Sequence, residues 1–293
     1  MATTAEWIEG ARPRTLPAAV APVLVGSGAA FYVGGFVAWK ALLALLVSLA
    51  LQVGVNYAND YSDGVRGTDD DRVGPVRLVG SRAASAPAVK AAAFGAFGAA
   101  AVCGLVLAVT TSLWLVAVGA LAIVAAWFYT GGSTPYGYRG LGELSVFCFF
   151  GLVAVTGTTY VQAERVTTLS VAGGVAIGSL ACAILVANNL RDRPGDEVAG
   201  KRTLAVRLGD ENTRGFYTLL LVAAFLVAVG VGVLQTPWAL LGLLAAPWAL
   251  RAAGPVRQRV TGAGLIPTLK LTGVVELVYA VGLTAGLVLA GPL

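Results

Sequence analysis

Two stretches of the chain place carboxylate, amide and basic side chains directly after a long apolar run. The first is NYANDYSDGVRGTDDD, residues 56–71, and the second starts as NNLRDRPGDE at residue 188. Each contains an Asn-x-x-x-Asp spacing, with Asn56 and Asp60 in the first and Asn188 and Asp192 in the second. On a helix this spacing puts both side chains on one face, one turn apart. The same arrangement of side chains therefore occurs twice.

The carboxylates of the two stretches predict a site for a divalent cation. Asp63 extends the first face and Asp196 the second, if each helix continues that far. Four carboxylates facing each other near a bilayer would repel strongly without a cation. Mg²⁺ suits such a site, because it takes one or two protein carboxylates and completes its shell with water and substrate phosphate. In the run of three acids at residues 69–71, Asp69 is the expected contributor to the metal.

Basic residues accompany both groups of carboxylates. They are Arg66, Arg72 and Arg77 in the first stretch and Arg191, Arg193, Lys201 and Arg202 in the second. Metal ions together with Arg and Lys side chains stabilise the charge that develops on a leaving phosphate. The chain contains no histidine, which excludes imidazole ligands and an imidazole general base. A diphosphate with an apolar tail is therefore the expected substrate.

The elements that must position these residues are transmembrane helices. The chain has 293 residues, of which 57% are hydrophobic and 12% are charged, and runs of about 20 apolar residues can cross a bilayer as helices. We predict an all-α membrane protein formed by a single domain, residues 1–293, with its two motifs at 56–71 and 188–203 and its active site capped by two long loops, 59–88 and 190–213. The nine predicted spans are approximately 17–37, 41–58, 89–110, 113–130, 142–162, 169–189, 214–234, 237–252 and 268–291.

The basic residues also predict the orientation in the membrane. With a cytoplasmic N-terminus, 18 of the 20 Lys and Arg residues fall on the cytoplasmic side, and only Lys40 and Arg165 lie outside. Both motifs then face the cytoplasm and the C-terminus lies outside. The expected location is the inner or plasma membrane of the cell. Because topology accounts for the net charge of +5, that charge does not indicate binding to nucleic acid.

The two motifs resemble those of the UbiA-type superfamily of intramembrane aromatic prenyltransferases. NYANDYSDGVRGTDDDRVGPVRLVGS is similar to the first aspartate motif of that superfamily, and NNLRDRPGDEVAGKRTLAVRLG to the second. The superfamily often writes its first motif NDxxDxxxD, whereas here the third aspartate comes six residues after Asp63. Three features are similar to the menaquinone branch, the 1,4-dihydroxy-2-naphthoate polyprenyltransferases. They are that late aspartate, the stretch YTGGSTPYGYRGLGE at 129–143 and the stretch GKRTLAVRLG at 200–209.

The resemblance implies Mg²⁺-dependent transfer of a polyprenyl group from its diphosphate to 1,4-dihydroxy-2-naphthoate, with loss of CO₂. Asp60, Asp63, Asp192 and Asp196 would be the catalytic residues. The implied metal ligands are Asn56, Asp60, Asp63, Asn188, Asp192 and Asp196, to which the residue types add Asp69. The implied diphosphate ligands are Arg191, Lys201 and Arg202, with Arg66, Arg77 and Arg139 as further candidates. An allylic cation would form and the electron-rich ring would attack it, which requires no strong general base.

Five further residues are weaker candidates for contact with the acceptor or the prenyl group: Asn59, Tyr129, Tyr136, Tyr138 and Glu143. The tyrosines could stack on the acceptor or shield a cation through their π faces, or they could be interfacial belt residues. Glu143 could contact the acceptor or simply favour the start of a helix. Glu276, deep in the last span, could belong to a second site or be a helix-packing partner.

The same residues also bear on other possible functions. A transporter would place its acids at mid-span, where Glu276 lies alone. A prenyltransferase of the same superfamily with another acceptor, such as 4-hydroxybenzoate, stays possible. Asp60-Tyr-Ser-Asp63-Gly64 matches the opening of the CDP-alcohol phosphotransferase motif, but VRGTDDDRVGP does not continue it. Soluble prenyl diphosphate synthases have paired aspartate motifs without lipid-facing spans.

Overall fold

The computed structural model describes residues 2–67 and 77–293, and every regular element in these ranges is helical. The α-helices are α1 (Thr4–Gly10), α2 (Pro17–Tyr32), α3 (Ala38–Arg66), α4 (Ala86–Val109), α5 (Trp114–Phe128), α6 (Gly142–Val146), α7 (Ala154–Ala163), α8 (Thr168–Val198), α9 (Leu204–Leu234), α10 (Ala246–Arg257) and α11 (Ile266–Ala290). A π-helical segment, Phe147–Val153, joins α6 to α7. Short 3₁₀ segments are Pro13–Thr15, Tyr136–Arg139, Pro237–Ala245 and Gly262–Leu265.

Helical segments occupy all nine predicted spans, with the fifth formed by α6, the π segment and α7 together. Seven helical segments of the described chain are long and apolar enough to cross a bilayer. A pair bent by 48°, Thr4–Thr15 with Pro17–Tyr32, is an eighth if it counts as one span. The remaining apolar helix, α5, has 15 residues and is shorter than a usual span. The prediction of an all-α multi-pass membrane protein is confirmed.

The boundaries of the predicted loops differ from the structure. Helix α3 continues to Arg66, and α8 continues through its own Pro194 to Val198. Because α9 already begins at Leu204, the predicted loop 190–213 is wrong for most of its length. Both motifs therefore lie on helical extensions, where neighbouring turns fix the relative positions of their side chains. We call the end of the bundle that carries these extensions the motif end.

Helix α8 forms the centre of the bundle. It packs against α2, α9 and α11, and most of its span is buried. Small residues allow this close packing, as is usual between helices in membranes. A side chain at Gly151 of the π segment would collide with the backbone of Gly178 on α8, since a Cβ there would lie 2.5 Å from the Gly178 Cα. Gly151 is thus required by the close approach of the two segments.

Helix α5 lies at the edge of the bundle and has no buried residue. It packs against α3 and α4. On its inner side it forms one wall of a cavity, whose opposite wall is the π segment with α7.

Candidate active site

The first motif covers the final turns of α3, where a polar face points toward the N-terminal segment and the residues after the undescribed stretch. Asp60 is 1% exposed and accepts hydrogen bonds from the backbone N–H groups of Leu78 (2.7 Å) and Val79 (3.0 Å). Since each carboxylate oxygen accepts one of these bonds, Asp60 fixes the returning chain against α3. The lone pairs of the Asp60 carboxylate that do not accept these two bonds are free to bind a metal.

Asp63, one turn further along α3, faces charged and phenolic groups instead. Its carboxylate forms an ion pair with Arg77, at 3.6 Å, and accepts a hydrogen bond from the hydroxyl of Tyr138. Asp63 is 4% exposed. The two aspartates of the first motif therefore have different surroundings, with backbone amides around Asp60 and side chains of other elements around Asp63.

The second motif forms a compact polar cluster on α8. Arg191 contacts Asp192 through two hydrogen bonds, from Nε at 2.6 Å and from Nη2 at 2.7 Å. The same Nη2 donates to Oδ1 of Asn188 at 2.9 Å. One turn later Asp196 lies 3.9 Å from the ammonium group of Lys201. Each predicted acid of this motif is thus next to one of the predicted basic residues.

Tyr138 joins the two motifs. Its hydroxyl donates to Asp63, while the ammonium group of Lys201 lies 4.5 Å from the centre of its ring. The guanidinium of Arg66 lies 5.6 Å from the same ring centre. The backbone carbonyl of Tyr138 accepts a hydrogen bond from the N–H of Arg202, at 2.8 Å. The connection between α5 and α6 therefore contacts residues of both motifs through one tyrosine.

A glycine fixes the path of this connection. Gly140 has a φ of 76°, a conformation that side chains of L residues disfavour. A Cβ at Gly140 would also lie 3.0 Å from Nε of Arg207 and 3.3 Å from the carbonyl oxygen of Arg202. Only glycine fits a backbone that turns at this point so close to α9.

The N-terminal segment covers the other side of the first motif. Asn56 donates through Nδ2 to the carbonyl of Ala11 (2.9 Å) and to the hydroxyl of Thr15 (3.0 Å). Gln52, one turn earlier on α3, donates to the same hydroxyl at 2.9 Å. Arg12 lies close enough to Asp60 for the two charges to interact. Asn56 therefore holds the N-terminal segment against α3 through its amide group.

An apolar cavity of about 340 Å³ begins directly beside the first motif. Asn56 and Asn59 of α3 line it at the motif end, together with Tyr129, Tyr136 and Ser145. The remaining lining is largely Val, Leu, Ala, Phe and Gly from α2 to α8 and the π segment. Apolar cavities with a few polar groups at one end are typical binding sites for apolar molecules with a polar head.

Three of the five predicted acceptor residues, Asn59, Tyr129 and Tyr136, lie at the polar end of this cavity, whereas Tyr138 and Glu143 do not line it. The rings of Tyr129 and Tyr136 are 5.6 Å apart and perpendicular. The Tyr136 hydroxyl donates to the carbonyl of Ala125 at 2.7 Å and is 2.9 Å from the hydroxyl of Ser145. Burial raises the pKa of Tyr136, so its hydroxyl keeps its proton at neutral pH. Asn59 accepts a hydrogen bond from the hydroxyl of Thr130, at 2.8 Å.

Glu143 is buried between α6 and α8. One of its oxygens accepts a hydrogen bond from Nδ2 of Asn189, at 2.9 Å. It is therefore tied to the second motif through the residue that follows Asn188. Glu143 is also at the start of α6, where the helix dipole favours an acid. A role in contact with the acceptor and a role in starting the helix are both compatible with this position.

Some of the predicted residues do not converge on this site. The side chains of Arg139 and Arg202 are exposed. Arg66 donates to the backbone carbonyls of Thr130 and Gly132, so part of its hydrogen-bonding capacity is used within the protein. Asp69 lies outside the described residues.

Three residues of the site were not predicted: Arg12, Gln52 and Asn189. Gln52 and Asn189 had a sequence signal, because the first lies one turn before Asn56 and the second adjoins Asn188. Arg12 had none, since it reaches Asp60 only through folding of the N-terminal segment. Glu276 is fully buried, and neither of its oxygens has a hydrogen-bond partner within residues 2–67 and 77–293. It does not line the cavity.

The donor atoms fit Mg²⁺ together with a phosphate ligand, and do not form a closed protein cage. Among the residues the structure describes, no group of three or more acids or cysteines is close enough to hold a metal alone. Mg²⁺ needs only one or two carboxylates when a substrate phosphate supplies further oxygens. Asp63 of the first motif and Asp192 and Asp196 of the second can provide them.

Known proteins are similar to this sequence over nearly its whole length. The model of the UbiA prenyltransferase family matches residues 19–264. A protein of Mycobacterium tuberculosis named 1,4-dihydroxy-2-naphthoate octaprenyltransferase is 58% identical over 287 residues, which cover 98% of each chain. An Escherichia coli protein of the same name is 37% identical, covering 92% of this chain and 90% of the other.

Solved structures share the fold at much lower identity. A UbiA homolog from Aeropyrum pernix K1 superposes with a TM-score of 0.74 at 16% identity, covering 94% of this chain and 98% of that one. A UbiA homolog from Archaeoglobus fulgidus, solved with GPP and Mg²⁺, gives a TM-score of 0.69 at 14% identity and covers 97% of this chain and 99% of that one. With the family match, these comparisons show that the chain is a prenyltransferase of the UbiA prenyltransferase family.

Proposed function

We propose that this membrane enzyme transfers a polyprenyl group from polyprenyl diphosphate to 1,4-dihydroxy-2-naphthoate in menaquinone biosynthesis. The products would be CO₂, diphosphate and demethylmenaquinol, which oxidises to demethylmenaquinone. The observation that carries the proposal is the convergence of both motifs on Tyr138, two residues from Tyr136, which lines the polar end of an apolar cavity. The names of the relatives from M. tuberculosis and E. coli support the choice of acceptor.

The diphosphate would lie between the two motifs. Arg77, Arg191 and Lys201 already contact the aspartates there, and binding of an anion with its cation would replace some of these ion pairs. Asp63, Asp192 and Asp196 would hold Mg²⁺, and Asp60, Asn56, Asn188 and Asp69 stay candidates around them. Mg²⁺ would supply positive charge to offset the negative charge on the leaving diphosphate.

The residues around the cavity would then orient the two reacting carbons. As the bond between the prenyl carbon and the diphosphate oxygen breaks, the electron pair leaves with the diphosphate and an allylic cation remains. The ring carbon that carries the carboxylate attacks this cation, and the electron pair of the bond to CO₂ restores the aromatic ring. No proton has to be removed from carbon, which agrees with the absence of histidine. The faces of Tyr129 and Tyr136 would shield the cation from water.

The orientation in the membrane belongs to the same proposal. Lys and Arg concentrate on the motif end, and the positive-inside rule then assigns that end to the cytoplasm. Diphosphate and acceptor would enter from the cytoplasm while the apolar tail stays in the bilayer. The membrane concerned would be the inner or plasma membrane of the cell.

Mass spectrometry of reactions with purified protein tests the proposal. The reactions contain a polyprenyl diphosphate, Mg²⁺ or EDTA, and either 4-hydroxybenzoate or 1,4-dihydroxy-2-naphthoate with a ¹³C-labelled carboxylate. We expect a prenylated naphthoquinol without the label, and labelled CO₂, in the presence of Mg²⁺ alone. Prenylated 4-hydroxybenzoate with no naphthoquinol product would contradict the acceptor and leave the prenyl transfer intact. Equal turnover in EDTA would contradict the role of Mg²⁺.

A further inference from the structure

The deep half of the cavity is shaped by three glycines on three different helices. They are Gly104 of α4, Gly119 of α5 and Gly157 of α7, and all three line the cavity. A Cβ built on any of them meets no other atom within 4 Å. The space at these positions is therefore open because side chains are missing, and packing does not require the glycines. This differs from Gly151, where the neighbouring helix leaves no room.

A small hydrophobic cluster lies beyond these glycines at the end of the cavity that is remote from the motifs. Val23, Ala44, Leu107 and Val161 form it, Leu115 packs against it, and all five line the cavity. Gly104 precedes Leu107 by three residues, Gly119 follows Leu115 by four, and Gly157 precedes Val161 by four. Each glycine thus lies one helical turn from the cluster, on the side toward the motifs.

The three glycines therefore lie at one depth, which we call the glycine belt. On α3 the same depth is one turn beyond Ala44, at Val47 and Ser48, which also line the cavity. From Ser48 to Asn59 the helix rises about 16 Å, at 1.5 Å per residue. The belt is therefore roughly that far from the polar end, where the diphosphate would bind.

Prenyl chains of different length would meet the belt differently. With C–C bonds of about 1.5 Å, an extended geranyl chain is about 10 Å long and ends before the belt. An octaprenyl chain, at about 40 Å on the same bond length, has to pass it. Such a chain must bend or leave the bundle at this depth, where the hydrophobic cluster closes the way ahead. The room for this turn is the space left by the missing side chains.

We propose that the glycine belt of Gly104, Gly119 and Gly157 determines the longest prenyl chain that the enzyme accepts. The inference rests on the proposed function, because it takes the cavity to hold the prenyl tail. A side chain at the belt obstructs the distal isoprene units and leaves the first two untouched. Long and short donors then respond differently to one substitution, which a general loss of folding or of diphosphate binding cannot produce.

The test compares Gly104→Leu, Gly119→Leu and Gly157→Leu with a matched control, Gly98→Leu. Gly98 is on α4 like Gly104 and also has open space around its Cβ position, but it does not line the cavity. kcat/KM is measured with geranyl, farnesyl and octaprenyl diphosphate and the same acceptor. We expect the ratio for octaprenyl over geranyl to fall at least tenfold in the belt variants and to stay unchanged in the control.

Two outcomes with folded leucine variants would overturn the inference. One is a ratio within twofold of wild type in all belt variants, and another is an equal loss for every chain length. If a leucine variant does not fold, the alanine variant at the same position replaces it. We then expect a smaller fall in the octaprenyl-to-geranyl ratio, and an unchanged ratio would contradict the role of the belt. A wild-type protein that transfers no chain of any length would instead overturn the proposed function, and the inference with it.

Discussion

At the scale of single residues, neighbouring acids of one motif have different surroundings. Asp60 accepts two backbone N–H groups and holds residues 78–79 in place, whereas Asp63 faces Arg77 and Tyr138. The spacing of the sequence predicted that both acids share a helical face, and α3 confirms it. The spacing could not predict which acid would accept backbone hydrogen bonds, because the donating N–H groups come from a segment 18 residues further along the chain.

Tyr138→Phe tests the contact that joins the motifs. The change removes the hydroxyl that donates to Asp63 and keeps the ring beside Lys201. A hydrogen bond to a charged group contributes about 1.5–3 kcal/mol, so we expect the KM for polyprenyl diphosphate to rise by roughly tenfold to a hundredfold. Tyr32→Phe is the control, since Tyr32 donates to the carbonyl of Gln235, away from the motifs. An unchanged KM in Tyr138→Phe would show that this contact does not position the motifs.

At the scale of elements, much of the arrangement follows from the apolar pattern. Helical residues occupy each of the nine spans that the pattern predicted, and the Asn-x-x-x-Asp spacing correctly implied that helices α3 and α8 extend past the apolar runs. The prediction of a loop at 190–213 is wrong because it assumes that charged residues end the helix. Helix α8 continues through them to Val198. The docking of α1 on α3 was not predicted either. Its contacts, such as Trp7 on Tyr57 at 5.6 Å, join residues 50 positions apart.

Asn56→Ala tests whether the N-terminal segment is held by α3. The change removes two hydrogen bonds from Nδ2, to the half-buried carbonyl of Ala11 and hydroxyl of Thr15. At about 0.5–1.5 kcal/mol for each bond, we expect the free energy of unfolding to fall by about 1–3 kcal/mol. Thermal unfolding in detergent measures this against Asn212→Ala, because Asn212 is exposed and donates to the carbonyl of Leu208 in its own helix. If Asn56 acts by packing alone, the Mg²⁺ concentration for half-maximal turnover stays at the wild-type value. A large increase in that concentration would assign Asn56 to the metal.

At the scale of the whole molecule, the bundle has a polar motif end and an apolar interior that continues away from it. The C-terminus lies at the opposite end, where the N–H of Leu293 donates to the carbonyl of Tyr32 at 2.9 Å. An enzyme with a charged leaving group and a long apolar tail needs such an asymmetry. It lets the diphosphate reach water while the tail stays in an apolar environment.

Labelling of single cysteines in intact cells tests the orientation. Ser133 is exposed at the motif end and Val166 is exposed at the opposite end. In a background without native cysteines, we expect Val166→Cys to react with a membrane-impermeant maleimide and Ser133→Cys to react only after permeabilisation. The reverse pattern would place the motif end outside and contradict the count of basic residues.

If both motifs hold one diphosphate, their aspartates are energetically coupled through it, and a double-mutant cycle measures that coupling. The dissociation constant of geranyl diphosphate with Mg²⁺ is measured by calorimetry for wild type, Asp63→Asn, Asp192→Asn and the double variant. Residues that share one ligand show coupling of about 0.5–3 kcal/mol, whereas distant independent sites add. We predict weaker binding in each single variant and a loss in the double variant that differs clearly from the sum. Additive losses, or binding unaffected by either change, would contradict a shared diphosphate site.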